Sequence, residues 1–65
     1  MEMSPEEKLA IKNALNGKLS DDYEDLERLF ENLTAEKAAT TNHGTFKRID
    51  GAISKVRSKM NKLKP

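Results

Sequence analysis

Apolar residues in the last third of the chain follow one regular spacing. They stand three, four, three, four and three positions apart, at Phe46, Ile49, Ile53, Val56, Met60 and Leu63. Such a spacing places all six side chains on one face of an α-helix. It therefore predicts a long amphipathic helix over residues 46–63, whose apolar face packs against the rest of the protein or against another helix.

Two segments nearer the N-terminus also carry helix signals. Ser4-Pro5-Glu6-Glu7 combines an N-cap serine, a proline suited to the first turn and a glutamate at capping-box spacing. Because Gly17 is a typical C-terminal stop, a first helix is predicted over residues 5–16. Ser20 and the acidic residues after it predict a second helix over residues 20–32. Its apolar residues stand at helical spacing, at Leu19, Tyr23, Leu26, Leu29, Phe30 and Leu33.

The segment between these helices and the last one is more polar. Thr34 can cap a short third helix over residues 35–41, whose buried face would consist of Ala35, Ala38 and Ala39. Residues 40–45 include a glycine and three threonines, which are poor helix formers, so we expect a break there with Thr45 as the next N-cap. A continuous helix from 34 to 64 is the alternative.

These elements together predict an all-α fold. The chain has 65 residues, enough for a single domain over residues 1–65, and its elements form a small bundle of three to four helices. A domain of this size buries only about 60 % of its unfolded surface, and the absence of cysteine excludes a disulfide. Additional stability must therefore come from well-formed helices, self-association or a partner.

Residues for catalysis are nearly absent. His43 is the sole histidine, there is no cysteine, and no glycine-rich phosphate loop occurs. The acidic cluster over residues 21–25 lacks the alternating ligands and central glycine of a calcium loop. We therefore expect no enzymatic activity, no cofactor, no metal and no small-molecule substrate.

The chain shows no sequence signal for membrane attachment. No apolar run approaches the ~20 residues of a membrane span. The N-terminus lacks the basic and apolar regions of a signal peptide, and Glu2 stands where N-myristoylation needs a glycine. These features lead us to expect a soluble, cytoplasmic protein.

The net charge of +1 hides a strong asymmetry along the chain. Residues 1–37 hold ten acidic and five basic side chains, whereas residues 38–65 hold seven basic and one acidic. The first candidate binding surface is basic and consists of Lys47, Arg48, Lys55, Arg57, Lys59 and Lys62. The second is acidic and consists of Asp22, Glu24, Asp25, Glu27 and Glu31. Either these surfaces compensate each other in the folded protein, or one of them faces a charged partner.

The order of elements resembles a trihelical helix-turn-helix of the response-regulator or sigma-factor type. The resemblance implies a supporting helix over residues 19–32, a first motif helix over residues 34–39 and a recognition helix over residues 45–60. It also implies that the basic residues of the last helix contact DNA.

A non-enzymatic interaction protein is the function that we expect. It would bind or modulate a larger protein partner, or associate with a second copy of itself as a homodimer. DNA binding through the basic helix over residues 46–63 is the alternative. The pI near 8.0 favours the protein partner, because dedicated DNA-binding domains are usually more basic.

Overall fold

The structure, a computed structural model, describes residues 4–64. This range contains three α-helices joined by short connections. They are α1 (Pro5–Leu15), α2 (Tyr23–Ala39) and α3 (His43–Leu63), and this range contains no strand. The all-α class and the small helical bundle are thus confirmed. Residues 1–3, which entered the expectation of no leader or lipid anchor, lie outside the described residues, as does Pro65.

The start of α1 matches the prediction. The Ser4 hydroxyl accepts a hydrogen bond from the Glu7 backbone N–H at 3.2 Å. In return, the Glu7 carboxylate accepts one from the Ser4 backbone N–H at 3.1 Å. This capping box satisfies two N–H groups that have no partner within the helix, and Pro5 occupies a position where its missing N–H costs nothing.

The end of α1 is set by Gly17, also as predicted. Gly17 has a φ of +85°, a left-handed conformation that side chains with a Cβ rarely adopt. Its N–H donates to the Ala14 carbonyl oxygen. The N–H of Lys18 donates to the Asn13 carbonyl oxygen. This pair of bonds is a Schellman motif, which stops the helix at Leu15.

The second helix begins later than predicted. Its N-cap is Asp22, whose carboxylate accepts a hydrogen bond from the Glu24 backbone N–H. Ser20, the predicted first residue of this helix, accepts a hydrogen bond from the Asp22 N–H at 3.0 Å and so forms a turn ahead of the helix. The predicted start at residue 20 is therefore wrong, because the aspartate takes the capping role.

The prediction of two helices over residues 20–32 and 35–41 is also wrong, since α2 runs unbroken to Ala39. Thr34 does not cap a new helix; its hydroxyl donates to the Phe30 carbonyl oxygen one turn earlier, at 2.8 Å. A threonine that bonds in this way fits within a helix, and no glycine or proline interrupts the segment. The predicted buried face is exposed at each of its residues, Ala35, Ala38 and Ala39.

The predicted break between the last two helices exists but is shorter than residues 40–45. It consists of residues 40–42, and α3 begins at His43 rather than at residue 46. Asn42 is its N-cap and accepts a hydrogen bond from the Thr45 backbone N–H at 3.0 Å. Thr45, predicted as the cap, therefore lies inside the first turn. The continuous helix from 34 to 64 is not observed.

The six apolar residues predicted on one face of the last helix, called the seam below, are in the core at the middle of the row but not at its ends. Ile49, Ile53 and Val56 are buried, and Met60 is half-buried. Phe46 and Leu63 are each 38 % exposed, so the seam is core over about two heptads only. Opposite it lie the buried leucines of α2, together with one buried residue from α1; these residues are Leu26, Leu29, Leu33 and Ala14.

α2 and α3 form an antiparallel hairpin that stays in contact along its length. Near the turn, Lys37 contacts Asp50, and farther along the Phe30 ring lies beneath Arg57. At the far end, Lys59 reaches Asp21, just before α2. The separate helix over residues 34–39 implied by the helix-turn-helix resemblance is not formed, because those residues extend α2. α1 packs across this hairpin and contacts both helices.

Candidate interaction surfaces

The five predicted acidic residues all lie exposed at α2, but they do not form one set. Asp22 is engaged as the N-cap, and Asp25 accepts a hydrogen bond from the Ser20 hydroxyl at 3.3 Å. The other three stand three and four positions apart on the side of the helix away from the buried leucines. We call this trio, Glu24, Glu27 and Glu31, the acidic face.

The six predicted basic residues of α3 divide in a similar way. Lys59 is half-buried, and its Nζ lies 2.8 Å from the Asp21 carboxylate and 3.3 Å from the Leu19 carbonyl oxygen. The Arg57 guanidinium stacks over the Phe30 ring at 5.5 Å from its centroid. The remaining four are exposed and point away from the seam. We call these, Lys47, Arg48, Lys55 and Lys62, the basic face.

Direct compensation between the two predicted surfaces is not observed in residues 4–64. Two salt bridges occur there, Lys37–Asp50 at 2.7 Å and Lys59–Asp21 at 2.8 Å. Neither joins a member of the acidic face to a member of the basic face. The helices that carry these faces are neighbours, yet the faces point away from the shared core, so that the negative and the positive charges are both presented to solvent.

Lys37 is a residue whose role the sequence did not reveal. Its Nζ donates to the Asp50 carboxylate and lies 5.0 Å from the centroid of the Phe46 ring. These contacts lie beside the short turn and fix the two helices of the hairpin at that end. The signal for it would have been the extent of α2, because Lys37 falls in the last turn of that helix.

Among residues 4–64, two carboxyl groups have lowered pKa values. Hydrogen bonds from the Ser4 backbone, the Asn32 amide and the Ser4 hydroxyl lower the pKa of Glu7. The Asn32 Nδ2 donor lies 2.9 Å from Glu7 Oε2 and so connects α2 to α1. The hydrogen bond and positive charge of Lys59 lower the pKa of Asp21. The Glu7 carboxylate thus connects α1 to α2, and the Asp21 carboxylate connects the turn before α2 to α3.

An open groove of about 680 Å³ runs between α1 and α2. Its apolar floor includes Ala10, Leu19 and Leu29, and its rim mixes both charges, including Glu6, Asp25, Lys18 and Arg28. Within residues 4–64, no group of three or more potential metal ligands comes together. His43 is exposed in the first turn of α3, beside the short turn.

The helices of residues 4–64 are each too short or too polar to cross a membrane. No family of proteins, no curated protein and no solved structure matches this chain.

Proposed function

We propose that this chain is a non-enzymatic interaction protein that binds a larger protein partner. The supporting observation is the basic face of α3. Its four cations are exposed and form no salt bridge with any residue between 4 and 64. From Lys47 to Lys62 the face extends over about 22 Å of one helix. A rigid row of unneutralised charge fits a partner with an acidic surface and fixes its orientation.

The experiment compares two triple variants that change the net charge equally. One neutralises the basic face, as Arg48→Gln, Lys55→Gln and Lys62→Gln. The control neutralises exposed lysines of the α1 region, as Lys8→Gln, Lys12→Gln and Lys18→Gln. Wild type and both variants are used to capture partners from cells of the native host, and the captured protein is then purified and titrated by calorimetry.

We expect the basic-face variant to bind its purified partner at least about tenfold more weakly, and the control variant to bind as wild type does. Equal affinity of all three proteins for the partner would show that the basic face does not contribute to binding. Failure of wild type to retain any protein that binds again after purification would contradict the proposed function as a whole.

Duplex DNA is the second candidate partner, and the same exposed row of cations favours it. Cations on one helix face can neutralise phosphates along a groove. The test measures anisotropy of labelled duplex at increasing salt. The double substitution Arg48→Ala and Lys55→Ala should lower the slope of log affinity against log salt by about 2. No binding at about 50 mM salt would exclude this candidate.

A further inference from the structure

We infer that the basic face of one copy binds the acidic face of a second copy, so that the protein assembles head to tail. The inference rests on the proposed function to the extent that both use the basic face. It adds a further partner, a second copy of this chain, and assigns a role to the acidic face, which the proposed function does not use.

The two faces belong to different sides of the molecule. The buried leucines of α2 and the buried residues of α3 meet in the core, and each charged face lies on the opposite side of its own helix. A single molecule therefore cannot bring its two faces together. A contact between different patches of two copies is heterologous, and it leaves one acidic and one basic face open at the ends.

The charges of the two faces repeat at the same interval. Glu24 and Glu31 stand seven residues apart, and the basic residues Arg48, Lys55 and Lys62 follow each other at seven. Seven residues of helix rise about 10.5 Å, so two helices lying side by side can place both carboxylates opposite cations at once. The basic face offers two such registers, since it holds one cation more in this row than the acidic face requires.

The basic face carries small residues beside its cations, whereas the acidic face also holds exposed Arg28, one turn from Glu24 and from Glu31. Between its cations the basic face bears Gly51 and Ser58, and Gly44 lies one turn before Lys47; all three small residues are exposed. A Cβ built at Gly51 would meet nothing within 4 Å, so this side of α3 is open. The acidic face continues toward the end of α2 with exposed Ala35 and Ala38. Helices with small residues in contact can approach closely, and charge complementarity determines which faces meet.

The overall charge favours a second copy over a strongly charged partner. The net charge is +1, so two copies have almost no long-range repulsion to overcome. A protein near neutrality with separated charges is prone to associate at low ionic strength. A polyanion would be attracted by the basic face but repelled by the acidic face of the same molecule.

The test is sedimentation velocity of wild type and two variants, each of which keeps one face. The first is Glu24→Gln, Glu27→Gln and Glu31→Gln. The second is Arg48→Gln, Lys55→Gln and Lys62→Gln. At low ionic strength, the weight-average mass of wild type should rise with concentration past that of a dimer of the 7.3-kDa chain, and high salt should return it to the monomer.

Each variant alone should lose association, with a dissociation constant raised at least about tenfold. An equimolar mixture of the two variants should form a heterodimer and grow no further, because only one native pair of faces remains. The triple variant Lys8→Gln, Lys12→Gln and Lys18→Gln should associate as wild type does. Circular dichroism verifies that all variants keep their helices.

Three results would overturn the inference. The first is a wild type that stays monomeric at every salt and concentration. The second is a variant that still dimerises alone, which would assign association to exposed apolar residues such as Phe46 and Leu63. The third is a mixture that does not form the heterodimer. None of these results affects the proposed function. That function is tested with a purified partner from the host, which should bind the basic-face variant more weakly than wild type.

Discussion

Leu33 is the residue whose loss should damage the fold most clearly. It lies in α2 with no exposed surface and packs in the core with Leu26 and Val56, which are equally enclosed. Leu33→Ala removes buried methyl groups and leaves a cavity, so the free energy of unfolding should fall by about 2–5 kcal/mol. Urea denaturation followed by circular dichroism measures this loss.

The matched control for that substitution is Leu9→Ala in α1. Leu9 is 57 % exposed and lies outside the core cluster, so its truncation should change the free energy of unfolding by less than about 1 kcal/mol. Similar losses from the two substitutions would mean that Leu33 is not enclosed as described.

Glu7 connects pH to stability. Its pKa in the folded protein is lowered by hydrogen bonds from the Ser4 backbone, the Asn32 amide and the Ser4 hydroxyl. The unfolded chain, with the ordinary and higher pKa, takes up a proton first as the pH falls. The stabilisation by the Glu7 carboxylate is therefore present above the ordinary pKa of a glutamate and is lost as the pH falls through the lowered value.

The prediction compares Glu7→Gln with Glu6→Gln, a neighbour in the same turn of α1. Glu7→Gln should reduce the loss of thermal stability on acidification, because the side chain no longer titrates. Glu6→Gln should leave that loss close to wild type. Melting temperatures over a series of acidic pH values measure the difference, and an identical pH dependence of both variants would count against the described hydrogen bonds.

At the scale of the element, the start of α3 depends on which residue caps it. Asn42 accepts the Thr45 N–H, so Asn42→Ala should lower the free energy of unfolding by about 1 kcal/mol. Thr45→Ala should cost less than that, since Thr45 lies inside the first turn and alanine favours a helix. Thermal denaturation of the two variants measures which substitution lowers the free energy of unfolding more. A larger loss for Thr45→Ala would place the start of α3 at the later residue.

The ends of a helix could be predicted from the sequence where only one residue or motif nearby could start or stop it. Both ends of α1 are of this kind, because the Ser4–Glu7 capping box and Gly17 each have a single reading. The starts of α2 and α3 were predicted at the wrong residues, because Asp22 and Asn42 are the N-caps and the choice among neighbouring polar residues depends on how the chain enters the bundle. Thr34 failed as a signal because its hydroxyl bonds within a helix as readily as it caps one.

The candidate surfaces could be predicted as charged helix faces but not as sets of available charges. Helical spacing alone brings Glu24, Glu27 and Glu31 together. That Lys59 is held by Asp21 and Arg57 by the Phe30 ring depends on how α2 and α3 pack, which no local pattern contains. The arrangement of the helices was therefore needed to tell which charged side chains contact another residue and which contact only solvent.

At the scale of the whole molecule, the hairpin of α2 and α3 holds most of the core. Within residues 4–64, α1 contributes Ala14 as its one buried residue, with partly buried side chains around it, whereas α2 and α3 contribute the other buried residues. Opening of α1 would thus expose less apolar surface than separation of the hairpin.

Native-state hydrogen exchange should consequently show two levels of protection. Regions with few buried apolar contacts open at a lower free energy than the whole protein does. Amides in the middle of α1 should have a lower free energy of opening than amides near Leu33 and Val56. For the amides near Leu33 and Val56, the free energy of opening should equal that of global unfolding. The substitution Asn32→Ala removes the hydrogen bond to Glu7 and should lower protection in α1 more than near Val56. Equal protection in all three helices would show instead that the bundle unfolds as one cooperative unit, with α1 as firmly held as the hairpin.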